Sequence, residues 1–244
     1  MNIEKRKIYV ANLSGGKDSL FMLKIILCNP QKYPLHYVVH FDIGINNIIE
    51  CNVWNYICKI LDIYNIKHIT IKPEKTYEEL ITKNDIATRR VRWCNSQLKM
   101  NCVKQLERWV NSQGGEVIHY IGYCADENRR FKDNKNHIYP LVLENIYEND
   151  ILQSVKDNPI FEGWYKSFNR LGCRFCPCGT YKEWAWEYIY NKEDFEKQFE
   201  LVRDYERKYN TTYFQSNPKY NADYVYNIII KKYAPMILKE QEND

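Results

Sequence analysis

No apolar run in this 244-residue sequence is long enough to cross a bilayer, and the opening Met1-Asn2-Ile3-Glu4-Lys5-Arg6-Lys7 lacks the apolar segment of a signal peptide. Nothing points to a membrane, and a cytoplasmic protein is the expectation. A one-sided charge balance is missing too. Lys and Arg number 35 against 31 Asp and Glu, a formal charge of +4, which suits a phosphate-rich ligand or RNA but does not demand nucleic acid. Internal repeats and low-complexity tracts are absent. What remains is 45% hydrophobic and 27% charged, an ordinary globular composition in a chain long enough for one sizeable α/β core and a small C-terminal lobe. An even set of cysteines is the last absence. There are nine, three of them crowded into Cys173-Arg174-Phe175-Cys176-Pro177-Cys178, which argues against a simple disulfide framework and for metal or redox chemistry. Cys28, Cys51, Cys58 and Cys102 fall in apolar helical patterns and read as small buried hydrophobes.

The most informative stretch is Ser14-Gly15-Gly16-Lys17-Asp18-Ser19. It follows the run Ile8-Tyr9-Val10-Ala11 and precedes an apolar-rich segment over 20–27, the pattern of strand, tight turn and helix. Such a turn leaves N–H groups unpaired at the positive end of a helix and suits a phosphate. The glycines let the backbone approach closely, Ser14 and Ser19 bring hydroxyls, and Lys17 brings a charge. The four-residue spacer of a Walker A loop is not there. Further strands are expected over 35–41, 68–71 and 117–122, and helices over 48–64 and 96–110, the second closed by Gly114-Gly115.

Strands alternating with helices predict an α/β fold: an open, mostly parallel sheet with helices on both faces. Ligands of such sheets collect at the carboxyl ends of the strands, where the loops at 14–19, 42–44 and 122–130 all fall. Beyond Pro140 the alternation stops. Residues 144–180 read as turn-rich, with helices over 182–190, 192–209 and 221–238 and Pro218 breaking the chain before the last. The expected division is a nucleotide-binding α/β domain over 1–143 and, over 144–244, a cysteine-bearing turn region with a helical subdomain.

Several segments between residues 8 and 180 resemble, in family order, the PP-loop ATP pyrophosphatases and the phosphoadenosine phosphosulfate (PAPS) reductases, which share an adenine nucleotide alpha-hydrolase-like fold. Residues 14–19 match the family's Ser-Gly-Gly-x-Asp-Ser loop. Asp42 and Gly44 resemble its Asp-Thr-Gly, with Ile43 in place of Thr. Arg92-Trp93-Cys94 with Leu98-Lys99 resembles Arg-Trp-Cys-Thr-x-x-Leu-Lys, with Asn95 in place of Thr. Gly122 to Arg130 resembles Gly-x-x-x-Asp-Glu-x-x-Arg, and Arg170 to Pro177 resembles Arg-x-Gly-Cys-x-x-Cys-Pro.

The resemblance implies ATP bound with Mg²⁺. Ser14, Gly15, Gly16, Lys17, Asp18 and Ser19 would surround the phosphates, and Asp42 and Gly44 the ribose or adenine. Gly122, Asp126, Glu127, Arg129 and Arg130 would serve phosphate and metal, since adjacent carboxylates suit Mg²⁺ and arginine grips phosphate bidentately. Lys17, Asp18, Arg129 and Cys94 are the implied catalytic residues, neutralising charge while an acceptor oxygen attacks the α-phosphorus and pyrophosphate leaves. Cys94, Cys173, Cys176 and Cys178 are the implied metal ligands, with Cys124 an alternative fourth. They would hold either a [4Fe-4S] cluster or Zn²⁺, or stand metal-free as a reduced pair or a disulfide, and the sequence does not separate these. Arg89, Arg90, Arg92 and Lys99 form a compact anion site.

The activity implied is an ATP-dependent adenylating enzyme, a sulfurtransferase whose partners would be a nucleic acid or a sulfur-donor protein. A sulfonucleotide reductase and a non-catalytic nucleotide sensor are the alternatives. Thioredoxin-linked sulfonucleotide reductases use a cysteine in a C-terminal Cys-Gly-(Ile/Leu)-His segment, and no cysteine follows Cys178. The cluster-type reductases carry Cys-Cys where this chain has Trp93-Cys94. Both departures move the expectation from reducing a sulfonucleotide toward consuming ATP.

Overall fold

A computed structural model describes residues 5–131 and 133–242. Its centre is a five-stranded, all-parallel sheet of order β3-β2-β1-β4-β5, formed by β1 (Arg6–Asn12), β2 (Tyr37–Phe41), β3 (His68–Ile71), β4 (Gly115–Tyr120) and β5 (His137–Ile138). β1 lies between β2 and β4, and its Val10 and Ala11 are fully buried. A strand covered on both faces must be apolar throughout its middle, as this one is.

The connections are α1 (Lys17–Cys28), α2 (Ile48–Ile63), and, between β3 and β4, α3 (Tyr77–Asn84) and α4 (Met100–Ser112). Right-handed crossovers put α1 and α2 on one face of the sheet and α4 on the other. The strand order reverses between β1 and β4, so the crevice for a ligand lies at the carboxyl ends of those two strands.

Element boundaries differ from expectation for identifiable reasons. Gly122 lies beyond β4, in the loop. α3 was not expected, although Thr76 and Glu79 form a full capping box at its start. A short α5 (Pro140–Leu143) follows β5, and the segment 144–180 expected to be turn-rich carries two more short helices, α6 (Glu148–Val155) and α7 (Trp164–Ser167), which are too brief to show a helical period. The C-terminal helices are α8 (Tyr181–Tyr190), α9 (Lys192–Tyr209), α10 (Ala222–Ile228) and α11 (Ala234–Glu242). A π-helical turn, Ile229–Tyr233, joins the last two just ahead of Pro235. The wider turn accommodates the missing proline N–H, so the helix carries on past it.

The chain packs as two compact units. One joins the residues up to Glu74 with Lys99–Leu171, and the other joins Lys75–Leu98 with the chain from Gly172 onward. They are not the two blocks expected on either side of residue 143. The sheet and α5–α7 belong to the first unit. The second is built on aromatic contacts, Trp184 edge-on to Phe199 and Phe214, with Phe195 against Phe199. Among the described residues no helix is long and apolar enough to cross a membrane.

Candidate functional site

The first unit brings the loop of residues 14–19 to the switch point of the sheet. Ser14 and Ser19 face each other across the turn, their Oγ atoms 3.2 Å apart, and Ser19 Oγ also accepts from the Ser14 N–H. No side chain caps α1 at Gly16, so its first-turn N–H groups remain available to an anion. One is taken: the Lys17 N–H donates to the Tyr165 hydroxyl at 2.8 Å. Gly15 has φ +72°, and a Cβ there would stand 2.8 Å from Glu50 Cγ and 3.1 Å from the Glu50 Cα and carbonyl oxygen. Gly122 allows a second close approach, since its Cβ would come within 3.1 Å of the Asp18 carbonyl and the Ser19 backbone. The loop after β4 therefore rests directly on the first turn of α1.

Lys17 is almost wholly buried, and its ammonium lies on two carboxylates, 3.0 Å from Asp18 Oδ1 and 2.8 Å from Glu148 Oε1. Burial alone would lower the Lys17 pKa, but the two carboxylates outweigh it and hold the ammonium charged. Asp18 is pushed up by burial and by the charges of Glu148 and Glu127, against the pull of Lys17. The two shifts agree once the charges are counted. Lys17 has two anionic partners, whereas Asp18 shares one cation with two further acids. The cluster is short of positive charge.

The remaining expected residues divide by role. Asp126 is exposed, and its Oδ1 accepts from the Glu148 N–H at 3.2 Å, so it anchors the α6 that carries Glu148. Glu127 accepts from the Cys124 N–H and from Arg130, whose guanidinium lies 4.0 Å over the Tyr123 ring. Arg129 is exposed and makes no ion pair or hydrogen bond among the described residues. Cys124 is buried in this unit with Sγ 3.6 Å from Asp18 Oδ1, and burial followed by the Asp18 charge pushes its thiol pKa far up. Asp42 closes its own turn by accepting from the Gly44 N–H and pairs with Lys72; these contacts outweigh burial and lower its pKa. Asn47 caps α2.

Sequence reasoning missed Glu148, Tyr165 and Glu50. Glu50 underlies Gly15, accepts from Asn46 Nδ2 at 2.7 Å, and is pushed up to about 7 by burial, against the Asn46 hydrogen bond. Its folded pKa lies above the unfolded value, so the stability it contributes is present below about pH 4.5 and is lost as pH rises through 7. Glu50→Gln is expected to remove most of a decline of about 3 kcal/mol between pH 4.5 and 8. Urea midpoints at several pH values would show it, and parallel profiles for the two proteins would refute it.

In the second unit the cysteine loop is held by its neighbours. Arg89 does not serve an anion; its Nε donates to the Pro177 carbonyl at 2.8 Å and its Nη2 to the Gly179 carbonyl at 3.4 Å. The Cys176 carbonyl accepts from the Gly179 N–H and the Trp184 indole. Phe175 takes a left-handed conformation, φ +51°, inside the Cys-x-x-Cys turn, a cost of the order of 1 kcal/mol that its packing on Trp184 must offset.

The cysteines of this unit gather around two tyrosines. Burial and then the Cys176 charge push the Cys94 thiol up. Tyr77 is pushed up to about 12, mostly by burial, with Cys94 and Cys173 adding to it. Tyr213 is raised by burial and by Tyr77, Cys176, Cys94 and Cys178. The cysteine thiols are the donor type that a thiophilic metal takes, but among the described residues no three His, Cys, Asp or Glu side chains stand within common reach of one ion. Of the four helical cysteines expected to be buried, only Cys102 is; Cys28 is exposed, and Cys51 and Cys58 are half-buried.

No family model matches the chain. An uncharacterised protein of Methanocaldococcus jannaschii is 27% identical over 195 residues, covering 73% of this chain and 44% of that protein. The chain thus spans less than half the length of the curated relative it matches. Among solved structures, the U34-tRNA thiolase NcsA from Methanococcus maripaludis, with its [4Fe-4S] cluster, aligns over 95% of this chain and 71% of that one, at 16% identity and a TM-score of 0.41.

Proposed function

We propose that this chain is an adenylating enzyme of the PP-loop ATP pyrophosphatase and PAPS reductase-like kind, working as a sulfurtransferase. One observation carries the reading: an uncapped helix N-terminus at the switch point of the sheet, flanked by a carboxylate cluster that lacks positive charge. An anion with its own divalent cation answers both needs.

In the reaction, an acceptor oxygen forms a bond to the α-phosphorus of ATP. The bond from that phosphorus to the oxygen bridging to the β-phosphate breaks, and pyrophosphate leaves with the electron pair. The loop N–H groups and the Ser14 and Ser19 hydroxyls bind the departing oxygens, and Arg129, an exposed guanidinium two residues beyond Glu127, adds a further positive charge. Lys17 keeps Asp18 and Glu148 in place and lowers the charge that the phosphates meet. Mg²⁺, held through oxygens of Asp18, Asp126 or Glu127, would add charge neutralisation. Cys94, Cys173, Cys176 and Cys178 would hold the iron–sulfur cluster or zinc, which would supply sulfur-handling chemistry.

Anaerobically prepared protein given ATP, Mg²⁺, sulfide and an RNA or DNA acceptor is expected to release pyrophosphate. Tight ATP binding with no pyrophosphate under those conditions would contradict catalysis. Metal analysis is expected to find iron or zinc, reduced about tenfold or more by Cys94→Ser or Cys176→Ser. Unchanged metal content in both variants would remove those cysteines from the centre.

A further inference from the structure

A groove of about 1200 Å³ runs along α1 in the first unit, on the sheet face that α1 shares with α2. α1 gives it Leu20, Phe21, Lys24 and Leu27; α2 gives it Ile57, Ile60, Leu61 and Tyr64. Each set steps by three and four residues and so forms one continuous helix face. The starts of β1 and β2 supply the floor through Ile8, Leu35 and Tyr37. α1 packs on α5 and α6, and α2 on the turn at Pro159–Phe161; Leu61 is fully buried at the edge of the groove, and the other members of the two stripes are left partly or largely uncovered. Leu27 is 36% exposed and Tyr64 69%. Two facing stripes over an apolar floor form a helical layer with room for one more member, whose ridges would fit the grooves on either side.

The charge around this groove has one sign. No Asp or Glu lines it, whereas Lys17, Arg6, Lys24 and Lys67 do; Lys17 is already neutralised by Asp18 and Glu148, which leaves Arg6, Lys24 and Lys67. None of these three cations meets a carboxylate among the described residues; Lys24 lies over Phe21 and Lys67 over Tyr37. Arg6 and Lys67 both act on His36, whose pKa is lowered by burial first and then by these two charges, which places them together at one end. A drug-sized ligand fills about 300–1,000 Å³ of an enclosed site. This groove is larger, open, and follows the 12 residues of α1, three helical turns.

We infer that the groove seats an amphipathic helix of a partner protein, its apolar stripe set between α1 and α2 and its flanks rich in Asp and Glu. Such a helix would present anchors at i, i+3, i+4 and i+7 to Phe21, Leu27, Ile60 and Tyr64, and carboxylates to Lys24, Lys67 and Arg6.

The test is selection from a displayed library of 15-residue helical peptides with randomised faces, panned against the full chain and counter-selected against the Ile60→Glu variant. Enriched peptides are expected to carry the apolar stripe with acidic flanks. They should bind the Lys24→Glu/Lys67→Glu variant about tenfold or more weakly. Both lysines are exposed, so that variant keeps its fold, which an unchanged circular dichroism melt would verify. Enrichment of basic or uncharged flanks, or no enrichment over the Ile60→Glu variant, would overturn the proposal. So would self-association in sedimentation that Ile60→Glu abolishes, because a second copy would then be the occupant. Binding to anionic vesicles that Ile60→Glu abolishes would overturn it in favour of a lipid.

Discussion

Replacing Lys17 with methionine is expected to destabilise the protein by about 2–3 kcal/mol. Removing one member of a fully buried ion pair costs about 3–5 kcal/mol, because the charge left behind has no partner. The smaller figure applies here because the Glu148 side chain is 43% exposed and water replaces part of what Lys17 gave it. The loss should shrink as pH falls. Without Lys17, Asp18 keeps only the influences that already raise it, so its folded pKa stands above its unfolded one. A group of that kind contributes stability at low pH and loses it as pH rises. Urea denaturation at pH 5 and pH 8 separates the two regimes, and adding Glu148→Gln should restore part of the loss at pH 8. A Lys17→Met protein as stable as the parent at pH 8 would show that the ammonium does not hold the cluster.

Gly15→Ala is the second large effect. The left-handed φ costs a non-glycine residue about 1–2 kcal/mol. The new methyl also meets the Glu50 Cα and carbonyl, backbone atoms that cannot turn aside as a side-chain end can, which adds about 1–3 kcal/mol. Because Gly15 sits within the loop proposed to bind the phosphates, ATP affinity should fall about tenfold or more along with stability. Gly114→Ala supplies the control, since it lies in the turn before β4 and outside the expected nucleotide site. Its φ is +74°, but nothing lies within 4 Å of the added carbon, so only the conformational cost applies. Calorimetric titration with ATP and Mg²⁺ on both variants distinguishes them, and equal affinities would show that the loop does not touch the nucleotide.

The strand–turn–helix around Gly15 was legible because the hydrophobic period changes from two to nearly four across a pair of glycines. Parallel topology followed from the alternation of elements, and the helices at the end of the chain announced themselves by length. What escaped the sequence is interaction at long range. Glu148 reaches Lys17 across 131 residues, and Tyr165 reaches it across 148. Neither sits in a segment with any unusual local pattern.

Arg89 shows the complementary failure. An arginine among arginines suggests an anion, but its acceptors are backbone carbonyls of a turn 88–90 residues away, and carbonyls leave no mark on a sequence. The capping box at Thr76 and Glu79 was different. It was written plainly and needed only a longer helix behind it to be noticed. The joining of Lys75–Leu98 with the residues after Gly172 could not be read from a chain scanned end to end.

That discontinuity governs how the protein is made. The Tyr77 hydroxyl accepts from Gln198, and Tyr213 donates to the Ala87 carbonyl, across 121 and 126 residues. At a synthesis rate of about 5–20 residues per second, Tyr77 and Ala87 wait roughly ten seconds for Gln198 and Tyr213. During that interval Lys75–Leu98 is a tether of unfinished structure threaded between β3 and α4, while the strands on either side of it can already pair. The nascent protein is therefore expected to pass through a state with its sheet formed and its second unit still open, the interval in which an aggregating encounter would intervene.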